Sequence, residues 1–380
     1  MISSLARKST VAVVGGSYVG LRFAKSLAAS LPQTHKVVIV ENNTHFNHLF
    51  TFPRFAVLPR GGEEKAFVPY SNVFDECPPG SGRVIQAKAL SIHANEKANE
   101  PGYLQLDKEV DLDGEKVDRI PFDYLALATG TRLQVPWSMP SNDKTTGVKT
   151  LRETQDRVAK AKKIVIVGGG AVGVQVAFDI SQLYQLGDDK VVTLVHSRDL
   201  IMNKFHPDLH KLVSTRLAEG GVQTKLGARV SLPASGYPDF KPGQFFKVEL
   251  QNGDSIEGDL VLLCTGQTPR SDLLGSFSPS SITSGGFINV GPTLQVQAGQ
   301  EIEAKAGNLD YKTSSLLDRI YALGDVADSG APKTVRAAMG QVETVRANIL
   351  ASIKAGGKGA ELKKFTPGPA GIHLTLGLVS

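Results

Sequence analysis

The sequence is poor in cysteine, and this scarcity excludes several kinds of site. Only Cys77 and Cys264 occur among 380 residues, so the chain has no Cys-x-x-Cys pair, no Cys-rich metal site and no disulfide framework. Reactions that need a redox-active cysteine pair are therefore excluded. His206 and His210 lie four residues apart, but no third ligand is nearby and we expect no metal site. The cysteine usage fits a reducing compartment, and we expect a cytoplasmic protein.

Long apolar runs and concentrated charge are also absent. No run approaches the length of a membrane span. Because the first ten residues are short and polar and residue 2 is Ile2, we expect neither a signal peptide nor N-myristoylation. The 42 basic and 37 acidic residues give a net charge of +5, and because they are scattered they argue against nucleic-acid binding. Peripheral contact with a mitochondrial or other intracellular membrane is left open.

Glycine, in contrast, is abundant. The chain has 39 glycines and is 41% apolar, a composition typical of an α/β protein with many tight strand-to-helix turns. At 380 residues it is longer than one comfortable core, so we expect two domains.

A first dinucleotide-binding fingerprint lies at residues 11–21, VAVVGGSYVGL. The unalternating apolar run predicts a buried strand, and the residues after the glycines have helical spacing. Gly15 permits the tight turn, Ser17 is small enough for a pyrophosphate to approach the backbone, and Gly20 lets the helix pack closely. The next strand, KVVIVE, ends at Glu41, where a carboxylate accepts hydrogen bonds from ribose hydroxyls.

A second fingerprint, KIVIVGGGAVGVQVAFDI, lies at residues 163–180 and has every glycine in place: Gly168, Gly170 and Gly173. The strand that follows, VVTLVHS, does not end in an acid but leads into His196, Ser197 and Arg198. Since no carboxylate repels a 2′-phosphate there, this site is predicted to prefer NADPH. NADH or dual use is left open.

Three further segments indicate a flavin. Two apolar strands end in the same dipeptide, Thr-Gly: FDYLALATG ends at Thr129-Gly130, and DLVLLCTG ends at Gly266. Turns of this kind at strand ends place backbone where a cofactor can bind. In IYALGDVAD, Asp325 suits a hydrogen bond from the flavin side chain. We expect a helix to begin near Pro332 and to direct its N–H groups at the flavin N1 and C2 carbonyl.

The ordered set VVGGSYVG, LALATG, IVIVGGGAVG, LLCTG and YALGDVAD resembles the two-dinucleotide-domain flavoprotein reductases of the glutathione-reductase-like structural family. KVVTLVHS, LLCTGQTP, GDVAD and APKTVRAAMGQVETVRANI are most similar to the AMID or ferroptosis-suppressor-like group, which is homologous to apoptosis-inducing factor and related to type II NADH dehydrogenases. The fold expected is α/β with two Rossmann-like domains, the NAD(P) domain inserted in the FAD domain. The expected bounds are 1–146 and 266–345 for FAD, 147–265 for NAD(P)H, and 346–380 for a short C-terminal segment.

The resemblance implies roles for individual residues. Lys333, close to the flavin, and Gln175, near the meeting point of nicotinamide and flavin, are the candidate catalytic residues, and Gln175 stands where members usually carry glutamate. The expected FAD ligands are Gly15, Gly16, Ser17, Gly20, Glu41, Arg54, Thr129, Gly130, Asp325 and Lys333. The expected NAD(P)H ligands are Gly168, Gly170, Val172, Gly173, His196, Ser197, Arg198 and Gly266.

The function expected is hydride transfer from NADPH or NADH to FAD, followed by electron transfer to a quinone-like acceptor. Two alternatives are left open. One is a tailoring oxidase or dehydrogenase of a small natural product, because of Gln175 and because the chain ends at Ser380 where relatives usually continue. The other is a redox-gated, death-signalling protein that binds nucleic acid or a partner protein. Both a monomer and a homodimer fit the sequence.

Overall fold

The computed structural model describes residues 8–59, 61–95, 97, 100–298, 315–357 and 359–377. The chain divides into two compact units. Unit 1 comprises Met1–Phe46, Pro69–Arg132 and Thr268–Gly371, and unit 2 comprises Asn47–Val68, Leu133–Gln267 and Ile372–Ser380.

The described residues form twenty strands: β1 Ser9–Val14, β2 His35–Glu41, β3 His45–Asn47, β4 Phe67–Pro69, β5 Gly82–Gln86, β6 Ala89–His93, β7 Gly102–Leu112, β8 Glu115–Phe122, β9 Tyr124–Leu127, β10 Thr131–Arg132, β11 Lys163–Val167, β12 Val191–Val195, β13 Gln223–Lys225, β14 Phe246–Glu249, β15 Ser255–Gly258, β16 Leu260–Leu263, β17 Thr268–Pro269, β18 Ile288–Asn289, β19 Ile320–Ala322 and β20 Ala327–Asp328. The α-helices within the same ranges are α1 Tyr18–Ala28, α2 Phe52–Phe55, α3 Lys144–Lys160, α4 Ala171–Leu183, α5 Pro207–Glu219, α6 Asp272–Phe277 and α7 Val335–Lys354. Short 3₁₀ turns lie at Leu49–Thr51, Glu63–Ala66, Pro279–Ser281 and Gly324–Val326.

Unit 1 is built on a parallel five-stranded sheet in the order β19-β9-β1-β2-β5. The inner strands β1, β2 and β9 carry apolar runs without alternation, which is typical of strands buried on both faces. Val11 and Val13 of β1 face a cluster that includes residues of α1 and α7. Ala12 and Val14 face the opposite cluster, which includes residues of the antiparallel β6-β7-β8 sheet.

Unit 2 repeats this plan with a parallel sheet in the order β13-β12-β11-β16. Ile164 and Ile166 of β11 belong to the larger apolar cluster, with residues of α3, α4 and α5. Val165 and Val167 point to the other face and share a cluster with residues of the β14–β15 hairpin. Each unit therefore places a glycine turn after an inner strand of a parallel sheet, β1 or β11.

The division into units differs from the boundaries expected from the sequence. Residues 47–68 and 133–146 group with unit 2, because Phe52, Phe67 and Trp137 are buried in the larger apolar cluster of that unit. The expected boundary at residue 345 falls inside α7, whose buried Val342 and Ile349 both lie in the core of unit 1. Nowhere in the described ranges is there a helix long and apolar enough to cross a membrane.

We expect Leu151→Ala to lower the stability of unit 2. Leu151 on α3 is fully buried, and truncating such a leucine removes apolar contacts and leaves a cavity, at a cost of about 2–5 kcal/mol. Thermal melting followed by circular dichroism should show a lower transition temperature. Leu212→Ala is the control, because Leu212 is 52% exposed and its loss should change the melt little; equal melting of both variants would contradict the assigned core.

Candidate functional site

The first glycine turn fits closely against the end of β9. Gly15 has φ +105°, and a Cβ there would lie 2.4 Å from the Ala128 carbonyl oxygen. A Cβ on Gly20 would lie 1.9 Å from the Gly15 carbonyl oxygen, so α1 packs on the turn only because this position lacks a side chain. Ser17 is the N-cap of α1 and its side chain makes no capping hydrogen bond, which leaves the helix N-terminus open to an anion.

Glu41, the last residue of β2, is fixed beside this turn by backbone and side-chain donors. The Gly16 N–H donates to Oε2 at 2.5 Å, and the backbone and side-chain nitrogens of Asn43 both donate to Oε1 at 2.7 Å. A carboxylate has about four acceptor positions, so Glu41 retains capacity for a ribose hydroxyl. Glu41 thus lies beside the glycine turn, and its contact with the ribose of FAD stays a prediction.

Tyr70 is a site residue that the sequence did not reveal. Its hydroxyl donates to the Gly16 carbonyl at 2.9 Å, and burial, with Glu41 adding to the effect, raises its pKa. Tyr70 therefore stays protonated and remains a donor. Because it lies 54 residues from Gly16, no local motif could have indicated it. Asn43 lies two residues after Glu41, so its contact with this carboxylate could have been predicted from the sequence.

The second glycine turn has the same geometry in unit 2. Gly168 has φ +116°, with a hypothetical Cβ 2.6 Å from the Cys264 carbonyl oxygen, and a Cβ on Gly173 would lie 1.9 Å from the Gly168 carbonyl oxygen. Apart from its chain neighbours, no described residue has an atom within 4 Å of where a Gly170 Cβ would be. Val172 follows within the first turn of α4. The open space at Gly170 suits the approach of a pyrophosphate to backbone.

An imidazole takes the place of the carboxylate at this second turn. The Gly169 N–H donates to His196 Nδ1 at 3.1 Å, as the Gly16 N–H donates to Glu41. Burial lowers the pKa of His196, the nearby Arg198 lowers it further, and the Leu200 backbone opposes the shift. The ring is therefore neutral at pH 7. Ser197 is half-buried and Arg198 is exposed, so both are within reach of solvent-borne ligands.

The two strand ends that follow the glycine turns also match. Gly130 and Gly266 have φ values of +66° and +68°, a left-handed conformation that favours glycine. Thr129 Oγ1 donates to the Arg270 carbonyl at 2.6 Å, and the Arg270 N–H donates to the Gly130 carbonyl at 3.0 Å. In unit 1 the strand end is thus tied to the chain segment that returns from the second motif.

The Asp325 loop is held by the buried side chain of Gln341. The Gly324 N–H donates to Gln341 Oε1 at 2.8 Å, and Gln341 Nε2 donates to Ser329 Oγ at 3.0 Å. Burial raises the pKa of Asp325, and Lys333 opposes the shift. No described residue donates a hydrogen bond to this carboxylate, which therefore suits a hydroxyl donor from a ligand.

Lys333 is fixed in the same loop region of unit 1. Its Nζ donates to the Ala327 carbonyl and lies 4.4 Å from the centroid of the Phe287 ring, within the range of a cation–π contact. The expected start of the following helix near Pro332 is wrong. The helix α7 begins at Val335, because Thr334 is the N-cap and its Oγ1 accepts from the Ala337 N–H at 3.2 Å.

Arg54 and Gln175 both lie in unit 2, where they share one carboxylate. Arg54 donates from Nε and Nη2 to the fully buried Asp179 at 3.2 Å each, and from Nη2 to the Gly377 carbonyl at 2.7 Å. Burial raises the pKa of Asp179, while Arg54 and then the Gln175 side chain oppose the shift. The structure therefore groups Arg54 with α4, and its contact with FAD stays a prediction.

The sequence-predicted residues thus fall into two groups. Unit 1 holds Lys333 and the other residues expected to bind FAD except Arg54, whereas unit 2 holds Gln175 and the residues expected to bind NAD(P)H. Among the described residues there is no group of three or more His, Cys, Asp and Glu side chains that could hold a metal ion.

Comparison with known proteins decides the family. The family model described as pyridine nucleotide-disulphide oxidoreductase matches residues 9–341. The chain belongs to this family. It is 38% identical to Fe-regulated protein 8 of Mycosarcoma maydis, over 98% of this chain and 87% of that protein. It is 28% identical to ferroptosis suppressor protein 1 of Mus musculus, over 97% of this chain and 86% of that protein.

Solved structures show the same fold at low sequence identity. The sulfide:quinone oxidoreductase of Aquifex aeolicus matches with a TM-score of 0.65 and 19% identity, over 92% of this chain and 78% of that one. The family and the fold confirm the sequence-based assignment to FAD- and NAD(P)H-dependent flavoproteins. FAD and NAD(P)H are the cofactors, and both cradles fit them: a side chain at Gly15 or Gly168 would collide with backbone, and each helix N-terminus is open.

Alanine at the third glycine of each motif should separate the two cofactor sites. Because either Cβ would lie 1.9 Å from a carbonyl oxygen, Gly20→Ala should yield protein without FAD, and Gly173→Ala should retain FAD but lose NAD(P)H binding. The measurements are the visible spectrum of the purified protein and coenzyme titration. Gly368→Ala and Gly187→Ala are the controls, because neither added Cβ would come within 4 Å of a described residue other than its chain neighbours. Loss of FAD from Gly173→Ala alone would reverse the assignment.

Proposed function

We propose that this flavoprotein oxidises NADPH in preference to NADH and passes the electrons to a quinone-type acceptor. The main support for a quinone as the acceptor is that the chain lacks a pair of cysteines that could relay electrons from the flavin. The chain has two cysteines, both free, and they lie in different units, Cys77 in unit 1 and Cys264 in unit 2. Burial raises the pKa of each thiol, so neither is a thiolate at pH 7.

Without a relay, the acceptor must meet the flavin directly. When bound, FAD supplies the acceptance of a hydride and the release of electrons. A quinone can accept two electrons by direct contact with a reduced flavin. One structural neighbour is named as a sulfide:quinone oxidoreductase. The resemblance to relatives of type II NADH dehydrogenases supports the same class of acceptor.

The residues of unit 1 would hold and tune the flavin. The open carboxylate of Asp325 suits a hydroxyl of the flavin side chain. Lys333 and the N-terminus of α7 present positive charge, which stabilises a neighbouring group that gains negative charge. Gln341 fixes the loop that carries Asp325, and thereby its position.

The coenzyme preference rests on the exchange of a carboxylate for an imidazole. Glu41 presents a negative charge at the first turn, which disfavours a phosphate on the ribose. At the second turn the same backbone contact is made by His196, which is neutral, and Arg198 adds an exposed guanidinium. A guanidinium binds phosphate oxygens in a bidentate manner, so the 2′-phosphate of NADPH has a partner that NADH does not use.

Anaerobic reduction and reoxidation test the acceptor. NADPH should bleach the visible flavin band, and a soluble ubiquinone analogue should restore it. The rate of this reoxidation should be at least as fast as steady-state turnover with the same quinone. Failure of every quinone, with recovery by another class of small molecule, would falsify the quinone assignment and leave the flavoprotein assignment intact. Oxygen serves as the reference acceptor and should reoxidise the protein more slowly than the quinone.

Two substitutions test the coenzyme preference. His196→Glu should lower the ratio of kcat/KM for NADPH to that for NADH by about tenfold or more, because it places a carboxylate beside the 2′-phosphate. Arg198→Gln should raise KM for NADPH and leave NADH turnover unchanged. Arg216→Gln is the control, since Arg216 lies exposed in the last turn of α5. A wild-type preference for NADH of about tenfold or more would overturn the proposal.

A further inference from the structure

Arg270 follows the second dinucleotide motif in the chain but belongs to unit 1. Its backbone is fixed to the end of β9 by two hydrogen bonds, from Thr129 Oγ1 at 2.6 Å and to the Gly130 carbonyl at 3.0 Å. The neighbouring Ala128 and Thr129 backbone is the surface against which Gly15 packs. Arg270 is therefore anchored to the strand end that supports the first glycine turn.

The side chain of Arg270 is partly buried, and one of its nitrogens has no hydrogen-bond acceptor among the described residues. Its Nε is buried and has no hydrogen-bond partner in the described part of the chain. Burial is the main cause that lowers its pKa, the nearby Arg132 lowers it further, and Glu41 opposes both. The charge of Glu41 is therefore felt at Arg270, but no hydrogen bond joins the two side chains among the described residues, and Glu41 already accepts three others. A buried guanidinium nitrogen that makes no hydrogen bond is costly unless a ligand accepts one from it.

We infer that Arg270 binds the pyrophosphate of FAD at the first glycine turn. The pyrophosphate belongs at the N-terminus of α1, beside the backbone to which Arg270 is anchored, and its oxygens can accept the hydrogen bond that the buried Nε of Arg270 does not make within the described chain. A planar guanidinium also matches phosphate oxygens in geometry. The inference rests on the assignment of FAD to unit 1 and not on the identity of the electron acceptor.

Arg54, the cation expected from the sequence, has a different partner. Its guanidinium forms two hydrogen bonds with the fully buried Asp179 and a third with the Gly377 carbonyl, all within unit 2. Withdrawing Arg54 would leave a buried carboxylate uncompensated, which is strongly destabilising. The Nε of Arg270, in contrast, makes no hydrogen bond to any described residue, and Arg270 lies in the same unit as Glu41 and Asp325.

The test compares FAD affinity among arginine variants of the full chain. Arg270→Gln should weaken FAD binding by about tenfold or more, equivalent to about 1.4 kcal/mol, measured by ultrafiltration of free FAD from the reconstituted protein. Added salt should weaken FAD binding less in this variant than in the wild type, because a screened ion pair has been removed. Arg270→Lys should restore part of the affinity, and Arg119→Gln, an exposed arginine of β8, should bind FAD as the wild type does.

Competition by fragments of FAD locates the effect and separates it from misfolding. In apoprotein, ADP should bind less tightly to Arg270→Gln than to the wild type, whereas adenosine, which lacks the pyrophosphate, should bind equally to both. Equal weakening of ADP and adenosine would show a general distortion of unit 1 and overturn the inference. FAD affinity within about twofold of the wild type would also overturn it. Retention of FAD by Gly20→Ala would contradict the assignment of FAD to unit 1. Loss of FAD from Gly20→Ala together with normal affinity in Arg270→Gln would contradict only the role of Arg270.

Discussion

The site depends on one steric constraint, the close approach of a glycine turn to the carbonyl oxygens around it. In each unit the first glycine of the motif packs on the end of a neighbouring strand, at Ala128 or Cys264, and the third glycine packs on the first. A side chain at any of these four positions would enter the van der Waals radius of a backbone oxygen. Because the contacts involve backbone, neighbours cannot rotate away, and the helix N-terminus can reach the strand end only when these side chains are absent.

The two turns share this close packing of glycines and differ in the side chain that accepts a hydrogen bond from the turn. The peptide N–H after the first glycine donates to Glu41 in unit 1 and to His196 in unit 2. Both partners accept the same hydrogen bond, but one brings a negative charge and the other a neutral ring with an arginine two residues later. The backbone geometry is therefore independent of the charge presented to the ribose. This separation lets two copies of one structural unit keep the same turn geometry while they present different charges to a bound dinucleotide.

Motifs that act through local backbone were predictable from the sequence, and contacts made by distant segments were not. The glycine turns and the strand ends at Gly130 and Gly266 are each set by residues a few positions apart. Glu41 lies 25 residues from Gly16, but it was predictable because it ends the strand that follows the first helix. Tyr70 reaches the first turn from 54 residues away, and no periodicity encodes that approach. The start of α7 was misplaced because Pro332 fits a first turn well, yet the Thr334 hydroxyl satisfies a free N–H of the helix and proline has no comparable group.

The two arginines show why distance along the chain misleads in a protein with an inserted unit. Arg54 follows the first motif by a few tens of residues, yet residues 47–68 fold with unit 2, where Asp179 fixes its guanidinium. Arg270 follows the second motif, yet the chain has by then returned to unit 1 and pairs with the end of β9. A buried carboxylate such as Asp179 needs its cation whether or not a ligand is bound, so Arg54 is committed by the fold itself. The cation that a ligand can recruit is the one whose partner the fold does not supply.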